Sequence, residues 1–283
     1  MGTSESRGHS GPSLGLALSG GAVLGSVHIG VLKALDEAGI RVTHLAGTSM
    51  GALISSLYAF GLSGEEIEDI AEDLRWPNIT SLAPSKLGLL SQGKLQGALR
   101  KHLGNVRLED APRPLALVAL DISTGEKVVM TTGDLATAAT ASASFPGVFV
   151  PVERDGRLLV DGGLLENLPL SPLRKWGVDR IVAVDSYMGM TFHRPKNLIE
   201  LLHNAMRMIL ANSARTEVGE GDIHIAPDLQ GFSPTQLKDI PLLVQVGYQA
   251  AWDKMEEILA AAGQDSRERE PDDSPEASRE SRP

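Results

Sequence analysis

The chain has 283 residues, 42% of them hydrophobic, which is enough for one large α/β domain with a substantial core or for two small domains. Its 26 basic and 36 acidic residues give a net charge of −10, which argues against a nucleic-acid partner, because such binding depends on neutralising phosphates. The chain has no cysteine, so disulfides, thiolate catalysis and cysteine-ligated zinc are excluded.

Strands and helices are predicted to alternate along the chain. In order, the predicted strands are 14–19, 41–47, two within 114–132, the hairpin 148–163, 179–186 and 222–228. The predicted helices are 26–39, 52–61, an interrupted series over 64–103, 134–145, 196–215 and 240–262. This alternation predicts an α/β fold in which helices cover both faces of a mainly parallel sheet.

The two termini are expected to lie outside this domain. Residues 1–12 are small and polar, and residues 263–283 are densely charged. Neither segment can bury enough apolar surface to offset the entropy of ordering it. We therefore predict disordered ends on either side of one domain at 13–262.

Two serines have the spacing G-x-S-x-G, which hydrolases use to hold a nucleophile on a sharp turn. Ser49, between Gly47 and Gly51, follows a predicted strand and precedes a predicted helix, as this chemistry requires. Ser13 follows a proline and precedes a strand, so no helix begins there. Ser49 is therefore the candidate nucleophile, and an ordinary helix N-cap is the alternative interpretation.

A glycine-rich stretch, "LSGGAVLGSVHIGVL" at 18–32, joins the first predicted strand to the first helix. A dinucleotide fingerprint is excluded because Ala22 stands at the middle glycine position and no acidic residue ends the second strand; a P-loop lacks its Gly-Lys-Ser/Thr. What remains is a row of backbone amides at a helix N-terminus, which can bind an anion. In an acyl-transfer enzyme the amides of Gly20, Gly21 and Ala22 would hold the oxyanion, whereas a plain tight turn is the other interpretation.

The group that would take the proton from Ser49 has to be sought downstream. The histidines there are in no recognisable catalytic context; they are His102, His193, His203 and His224. Asp161 follows the apolar run "LLV" and precedes two glycines, at the kind of strand end that faces the ligand crevice of an open α/β sheet. It could form a Ser–Asp dyad with Ser49, with burial raising its pKa above the ordinary value of about 4. A common turn aspartate is the alternative.

Four stretches together resemble the patatin-like phospholipase family, in particular its compact bacterial members. In chain order they are "LSGGAVLGSVHIGVL", "AGTSMGAL", "ATASASFPGVFVPV" and "VDGGLLENLPL", and the resemblance covers roughly 14–175. It implies a three-layer α/β/α fold and hydrolysis of lipid acyl esters through an acyl-enzyme, with no metal or other cofactor.

The resemblance also implies a role for each motif. Ser49 would be the nucleophile and Asp161 the general base, in a dyad without histidine. The oxyanion hole would consist of the amides of Gly20, Gly21 and Ala22. The glycines that would support these motifs are Gly25, Gly47, Gly51, Gly162 and Gly163.

The sequence departs from the family pattern in its glycine loop. Ala22 stands where the family usually has a third glycine, and Leu24 where many members have Arg or Lys. An alanine keeps its amide N–H, but its methyl group restricts φ and crowds the approach. Ala22 therefore leaves open a weakly active or inactive lipid-binding or regulatory protein of the same fold. A second alternative, independent of this loop, is a Ser-His-Asp esterase using His193, His203 or His224.

The surroundings of the candidate site are predicted in outline. A lipid or acyl ester is the implied partner, and Phe145 and Pro146 would either line its acyl pocket or belong to the core. Segment 62–105 is the expected cover of the cleft. The apolar helical face at 197–210 is expected to pack on the sheet, and lining the acyl-chain cleft is the alternative. No apolar run spans a bilayer and no signal-peptide core is present, so we expect a cytoplasmic protein whose membrane contact would be peripheral, at the inner face.

Overall fold

The computed structural model describes residues 11–73, 76–188, 194–196, 201, 204–205, 208–210, 218–219 and 221–264. The segments expected to be disordered, 1–12 and 263–283, lie almost wholly outside these ranges, as does most of the helix predicted at 196–215. His193 and His203 also lie outside them. None of the helices that the structure describes is long and apolar enough to cross a membrane.

Strands and helices alternate within the described ranges. The strands are β1 (Leu14–Leu18), β2 (His44–Thr48), β3 (Ser81–Leu82), β4 (Gly88–Ser91), β5 (Leu115–Asp121), β6 (Glu126–Met130), β7 (Gly147–Phe149), β8 (Val152–Arg154), β9 (Arg157–Asp161), β10 (Arg180–Val184) and β11 (Ile223–Ile225). The helices are α1 (Val27–Glu37), α2 (Met50–Ala59), α3 (Gly64–Glu72), α4 (Trp76–Ile79), α5 (Gly93–Leu103), α6 (Leu135–Ser142), α7 (Gly163–Glu166), α8 (Leu170–Lys175), α9 (Ile240–Trp252) and α10 (Met255–Ala261). Short 3₁₀ helices lie at Ala22–Ser26, Leu108–Asp110 and Leu237–Asp239.

The central sheet has eight strands and is mainly parallel. Strands β11, β10, β1, β2 and β5 are neighbours in this order and run parallel, whereas β6, β8 and β9 run antiparallel to their partners. Strand β5 pairs with β6 along 117–121, so β2 and β9 must share its other edge, with β2 along 115–118 and β9 along 119–121. The carboxyl ends of β2 and β9 therefore meet head to head beside β5.

Side-chain alternation along the strands builds a core on each face of the sheet. Leu16 and Leu18 of β1 belong to the larger core, together with residues of α1, α2 and α9. Ala17 between them belongs to the smaller core, in which alanines of β2, β5 and β10 pack against Leu170 and Leu173 of α8. Helices thus cover both faces of the sheet, which confirms the predicted three-layer α/β/α architecture.

The element predictions need correction in two places. Segment 64–103, predicted as an interrupted series of helices, also contains β3 and β4, which form a separate three-stranded sheet with β7. These strands are too short to show a hydrophobic period, and β7 comes from a distant part of the chain. The helix predicted at 240–262 is divided into α9 and α10.

Candidate active site

Ser49 occupies a sharp turn between β2 and α2. Its backbone has φ 54° and ψ −119°, a conformation that residues with a side chain rarely adopt and that costs about 1–3 kcal/mol. The glycines beside it are required for close packing. A Cβ on Gly51 would come within 2.1 Å of the Leu18 carbonyl oxygen, and one on Gly47 within 2.3 Å of the Ser55 hydroxyl. The strained turn holds the Ser49 side chain beyond the end of β2.

The Ser49 hydroxyl donates a hydrogen bond of 2.6 Å to Oδ2 of Asp161, although the two residues are 112 positions apart. They meet because of the strand pairing at β5. Thr48, the last residue of β2, pairs with Val118, and Asp161, the last residue of β9, pairs with the adjacent Ala119. The structure therefore brings together the hydroxyl and the carboxyl that the motifs single out.

Burial controls the acidity of this carboxyl group. Loss of solvation raises the pKa of Asp161 from its ordinary value of 3.8 to about 6, against the opposing effect of the hydrogen bonds from Ser49 and from the Gly163 amide. The Gly163 amide donates to Oδ1 over 2.9 Å, which leaves Oδ2 for the serine. Above pH 6 Asp161 is thus an ionised carboxylate that is more basic than an exposed aspartate and can accept a proton from Ser49.

Ser142, the last residue of α6, fixes the backbone of the same turn. Its hydroxyl accepts a hydrogen bond of 3.0 Å from the Ser49 amide and donates one of 2.6 Å to the Val118 carbonyl. Ser142 thereby links the main chain of the turn to β5, while the Ser49 side chain links the turn to Asp161. Sequence reasoning did not single out Ser142, although it lies in one of the four stretches that resemble the family.

The glycine loop lies against this turn, since a Cβ on Gly20 would come within 2.9 Å of the Ser49 Cβ. The Gly20 amide donates to the Asn167 carbonyl over 3.2 Å and is therefore occupied. The amides of Gly21 and Ala22 donate to no other group in the described part of the chain. Ala22 has φ 47°, a left-handed conformation that glycine adopts without strain. Of the three amides expected to bind an oxyanion, those of Gly21 and Ala22 thus have no hydrogen-bond acceptor among the described residues.

Hydrogen bonds at both ends fix the orientation of Gly20. Besides the bond from its amide to Asn167, its carbonyl accepts one of 2.7 Å from the Ser186 hydroxyl. A trans peptide is planar, so the Gly21 N–H points away from the Gly20 C=O, and Ser186 therefore also sets the direction of the Gly21 amide. The Ser186 amide in turn donates to the Ser19 hydroxyl over 2.9 Å. Sequence reasoning missed both Asn167 and Ser186.

Replacing Ser186 with alanine tests this arrangement. We expect kcat for a short-chain p-nitrophenyl ester to fall roughly tenfold with KM unchanged, because a less firmly oriented amide stabilises the oxyanion less. The matched control is Ser56→Ala, which removes another buried hydroxyl, one that donates to the Ala52 carbonyl within α2. Equal losses in the two variants, or a change in KM alone, would contradict a positioning role for Ser186.

An apolar cavity of about 260 Å³ opens beside Ser49 and Asp161 and is bordered by the glycine loop. Phe145 lines it, whereas Pro146 is not part of its wall. Segment 62–105, the expected cover, contributes a largely aliphatic part of the wall. The residues involved include Ile67, Ile70, Ile79, Leu95, Leu99 and His102. Such a wall suits an acyl chain, because it offers apolar contact and few competing polar groups.

The expectation that the apolar face at 197–210 packs on the sheet is wrong for the residues described there. Leu201, Met208 and Ile209 are about half exposed, and Leu210 is buried at the cavity wall. The rest of this face lies outside the described residues. Hydrophobic periodicity shows that a helix has an apolar face but does not show what, if anything, covers that face.

No histidine in the described ranges hydrogen-bonds to Ser49. His28 is buried with Nε2 2.8 Å from the Ser19 carbonyl oxygen, and burial lowers its pKa to about 4. His224 lies on β11, three strand spacings or about 14 Å from β2. His102 lines the cavity, although its sequence context did not indicate this. The described residues include no group of three or more His, Cys, Asp or Glu side chains that could hold a metal ion.

Known proteins match the part of the chain that carries these motifs. The family model for patatin-like phospholipases matches residues 16–174. An uncharacterised NTE family protein of Mycobacterium tuberculosis is 39% identical over 181 residues, which cover 63% of this chain and 50% of that protein. Lysophospholipase NTE1 of Pyricularia oryzae is 31% identical over 183 residues, covering 62% of this chain and 12% of that protein. The chain thus spans half or less of the length of these relatives.

Solved structures with a similar arrangement have low sequence identity to this chain. VipD from Legionella pneumophila gives a TM-score of 0.47 at 16% identity, covering 90% of this chain and 67% of that one. The ExoU–SpcU complex from the type III secretion system of Pseudomonas aeruginosa gives a TM-score of 0.48 at 18% identity, covering 88% and 52%.

Proposed function

The chain belongs to the patatin-like phospholipase family, and on this premise we propose that it is a serine lipid acyl hydrolase that cleaves acyl esters with a Ser49–Asp161 dyad. Membership of the family supports lipid acyl hydrolysis as the general activity. The observation that carries the dyad is the 2.6 Å hydrogen bond from Ser49 Oγ to Asp161 Oδ2 beside an apolar cavity. The substrate would be a phospholipid, a lysophospholipid or a simpler carboxylic ester.

In the first half of the reaction Ser49 Oγ attacks the ester carbonyl carbon while its proton moves to Asp161 Oδ2. The carbonyl oxygen becomes an oxyanion and accepts hydrogen bonds from the Gly21 and Ala22 amides, which need no reorientation to donate. The protonated Asp161 then donates to the leaving oxygen as the ester C–O bond breaks. An alcohol or lysolipid departs, and the acyl group remains on Ser49.

In the second half water replaces the alcohol. A water molecule loses a proton to Asp161 and attacks the acyl carbonyl carbon, and the same two amides hold the second oxyanion. As this intermediate collapses, Ser49 Oγ leaves and recovers its proton from Asp161. The free carboxylic acid is released, and its chain has occupied the aliphatic cavity throughout.

Two alternatives to this proposal depend on residues outside the dyad. A Ser-His-Asp esterase would need His193, His203 or His224 to activate Ser49. An inactive lipid-binding or regulatory protein would keep the fold without a reactive serine, and Ala22, in a left-handed conformation within the loop that would hold the oxyanion, is the feature that favours it.

Labelling with a fluorophosphonate tests the proposal against both alternatives. We expect the probe to form its adduct on Ser49, identified by mass spectrometry of the peptide, in the wild type and at unchanged rates in His193→Ala, His203→Ala and His224→Ala. Loss of labelling in one folded histidine variant would favour the triad. A folded wild-type protein that does not react would favour the inactive alternative.

A further inference from the structure

A segment of positive charge borders the cavity. Residues 76–107, called the cationic segment below, contain five lysine and arginine residues and no acidic residue, in a chain whose net charge is −10. Both arginines of the segment are ion-paired: Arg100 with Asp134, and Arg107 with Glu109 just beyond the segment. Lys86 and Lys101 are exposed and form no ion pair with any described residue. A local cationic surface is therefore present on an acidic protein.

Three leucines of the cationic segment are exposed to solvent. Leu82, Leu87 and Leu89 have exposed fractions of 86%, 58% and 69%. They belong to the hairpin of β3 and β4, called the leucine hairpin (residues 81–91) below. The parallel register of β4 and β7 sets Leu89 beside Val148, which is also exposed. The register of β3 and β4 pairs Leu82 with Leu90, so Leu82 and Leu89 project from opposite faces of the hairpin, which is apolar on both sides. Several exposed apolar side chains on one hairpin mark an interaction surface, whereas isolated ones are ordinary.

The leucine hairpin adjoins the wall of the cavity. Val148 and Phe149, on the strand that pairs with β4, both line the cavity. Ile79, just before the hairpin, and Leu95, just after it, line the cavity as well. A surface that contacts the leucine hairpin would therefore lie close to the wall of the candidate active site.

We propose that the leucine hairpin, together with Lys86 and Lys101, forms a docking surface for an anionic lipid bilayer. Lys86 lies in the hairpin itself, and Lys101 lies on α5, beside His102 of the cavity wall. Exposed aliphatic side chains together with unpaired lysines match the layering of a bilayer, in which apolar chains lie beneath anionic headgroups. The leucines insert at the interface, and the lysines contact lipid phosphates. The inference rests on the proposed function, because a lipid hydrolase must draw its substrate from such a surface, and docking there brings the cavity close to it.

Vesicle sedimentation tests the docking surface. The protein carries Ser49→Ala so that no lipid is consumed, and the vesicles contain phosphatidylcholine with or without phosphatidylglycerol. We expect binding to the anionic vesicles that weakens with added salt. Leu82→Ser/Leu89→Ser should weaken this binding by roughly tenfold or more, because the inserted apolar area is lost. Lys86→Gln/Lys101→Gln should remove the preference for phosphatidylglycerol.

Matched controls change the same chemistry at other exposed positions. Ile122→Ser/Val129→Ser removes two exposed apolar side chains at β5 and β6 and should leave vesicle binding unchanged. Arg41→Gln/Lys175→Gln removes two exposed positive charges that lie outside the cationic segment and form no ion pair with a described residue. It should leave the preference for phosphatidylglycerol unchanged. Equal losses in the hairpin variant and its control would overturn the docking surface.

Turnover measured in proteins that retain Ser49 distinguishes a failure of the docking surface from a failure of the proposed function. We expect Leu82→Ser/Leu89→Ser to hydrolyse a soluble short-chain ester at the wild-type rate and vesicle phospholipid more slowly by the factor lost in binding. If the Leu82→Ser/Leu89→Ser variant bound vesicles as the wild type does and hydrolysed the soluble ester normally, the docking surface would be overturned and the proposed hydrolase activity would not be affected. If vesicle binding followed the expected pattern but the wild type hydrolysed no ester, the docking surface would be supported and the proposed hydrolase activity would be overturned. A dimer that becomes a monomer, with vesicle binding unchanged, would assign the surface to a second copy of the chain.

Discussion

Alanine in place of Ser49 is expected to lower kcat/KM for ester hydrolysis by roughly 10⁴-fold or more, because the reaction loses its only covalent acceptor for the acyl group. Ser49 supplies the one hydroxyl that hydrogen-bonds to Asp161 among the described residues. Alanine has the same Cβ as serine, so the backbone strain of the turn does not change. Turnover of p-nitrophenyl butyrate and of a phospholipid measures the loss.

The natural control for this variant is Ser13→Ala, since Ser13 lies in the other G-x-S-x-G stretch. Its hydroxyl donates to Asp179 over 2.7 Å, at the surface near the start of β1, and Ser13 does not line the cavity. We expect Ser13→Ala to retain wild-type turnover. If Ser49→Ala kept comparable activity while remaining folded, Ser49 would not be the nucleophile.

Asparagine in place of Asp161 is expected to lower kcat by roughly 10²–10⁴-fold, the usual contribution of a general base. In the wild type the pKa of this carboxyl is raised to about 6 by burial, so kcat/KM should rise as the pH increases through 6 and the carboxylate forms. Asparagine cannot accept the proton of Ser49, so the residual activity of the variant should lack this rise. A variant with the wild-type pH profile would show that another group is the base.

The same substitution is expected to stabilise the fold at alkaline pH. The pKa of Asp161 is higher in the folded protein than its ordinary value of 3.8, so the folded state binds this proton more tightly. The stabilisation of the folded wild type by this tighter proton binding is complete below pH 3.8 and is lost as the pH rises through about 6. At 1.36 kcal/mol per pKa unit the loss is roughly 3 kcal/mol. Asparagine does not ionise and avoids this cost, while its amide can still accept from Gly163 and donate to Ser49.

Urea unfolding of both proteins at two pH values checks this expectation. At pH 8 the free energy of unfolding of Asp161→Asn should exceed that of the wild type by up to roughly 3 kcal/mol, and below pH 4 the difference should vanish. A constant difference at both pH values would show that packing, not ionisation, distinguishes the two side chains. A less stable variant at pH 8 would show that the carboxylate is ionised without cost.

Local patterns predict the main features of the candidate site. A left-handed turn with close backbone contacts requires small neighbours. Ser49 can therefore be recognised in the sequence, because it lies between glycines, after an apolar strand and before a helix. Asp161 is marked in the same way, by an apolar run before it and two glycines after it. Both signals depend on short-range sterics, which a single sequence carries.

The residues that support the site leave no such pattern. Ser142, Asn167 and Ser186 come from three separate parts of the chain, and each acts through a hydrogen bond to a distant backbone group. Nothing local distinguishes a serine that orients a catalytic loop from one that caps a helix. The occupied amide of Gly20 and the small sheet of the leucine hairpin were missed for the same reason, because both depend on partners far along the chain.

The alternation of strands and helices, the turn at Ser49 and the strand end at Asp161 can be predicted from the amino-acid sequence, because backbone sterics and hydrophobic periodicity act over a few residues. The meeting of the hydroxyl and the carboxyl depends on the tertiary structure. Strands β2 and β9 approach β5 from opposite directions and end at adjacent residues on one of its edges, Val118 and Ala119. That register is set by hydrogen bonds and packing between strands far apart in the chain, which no local pattern encodes.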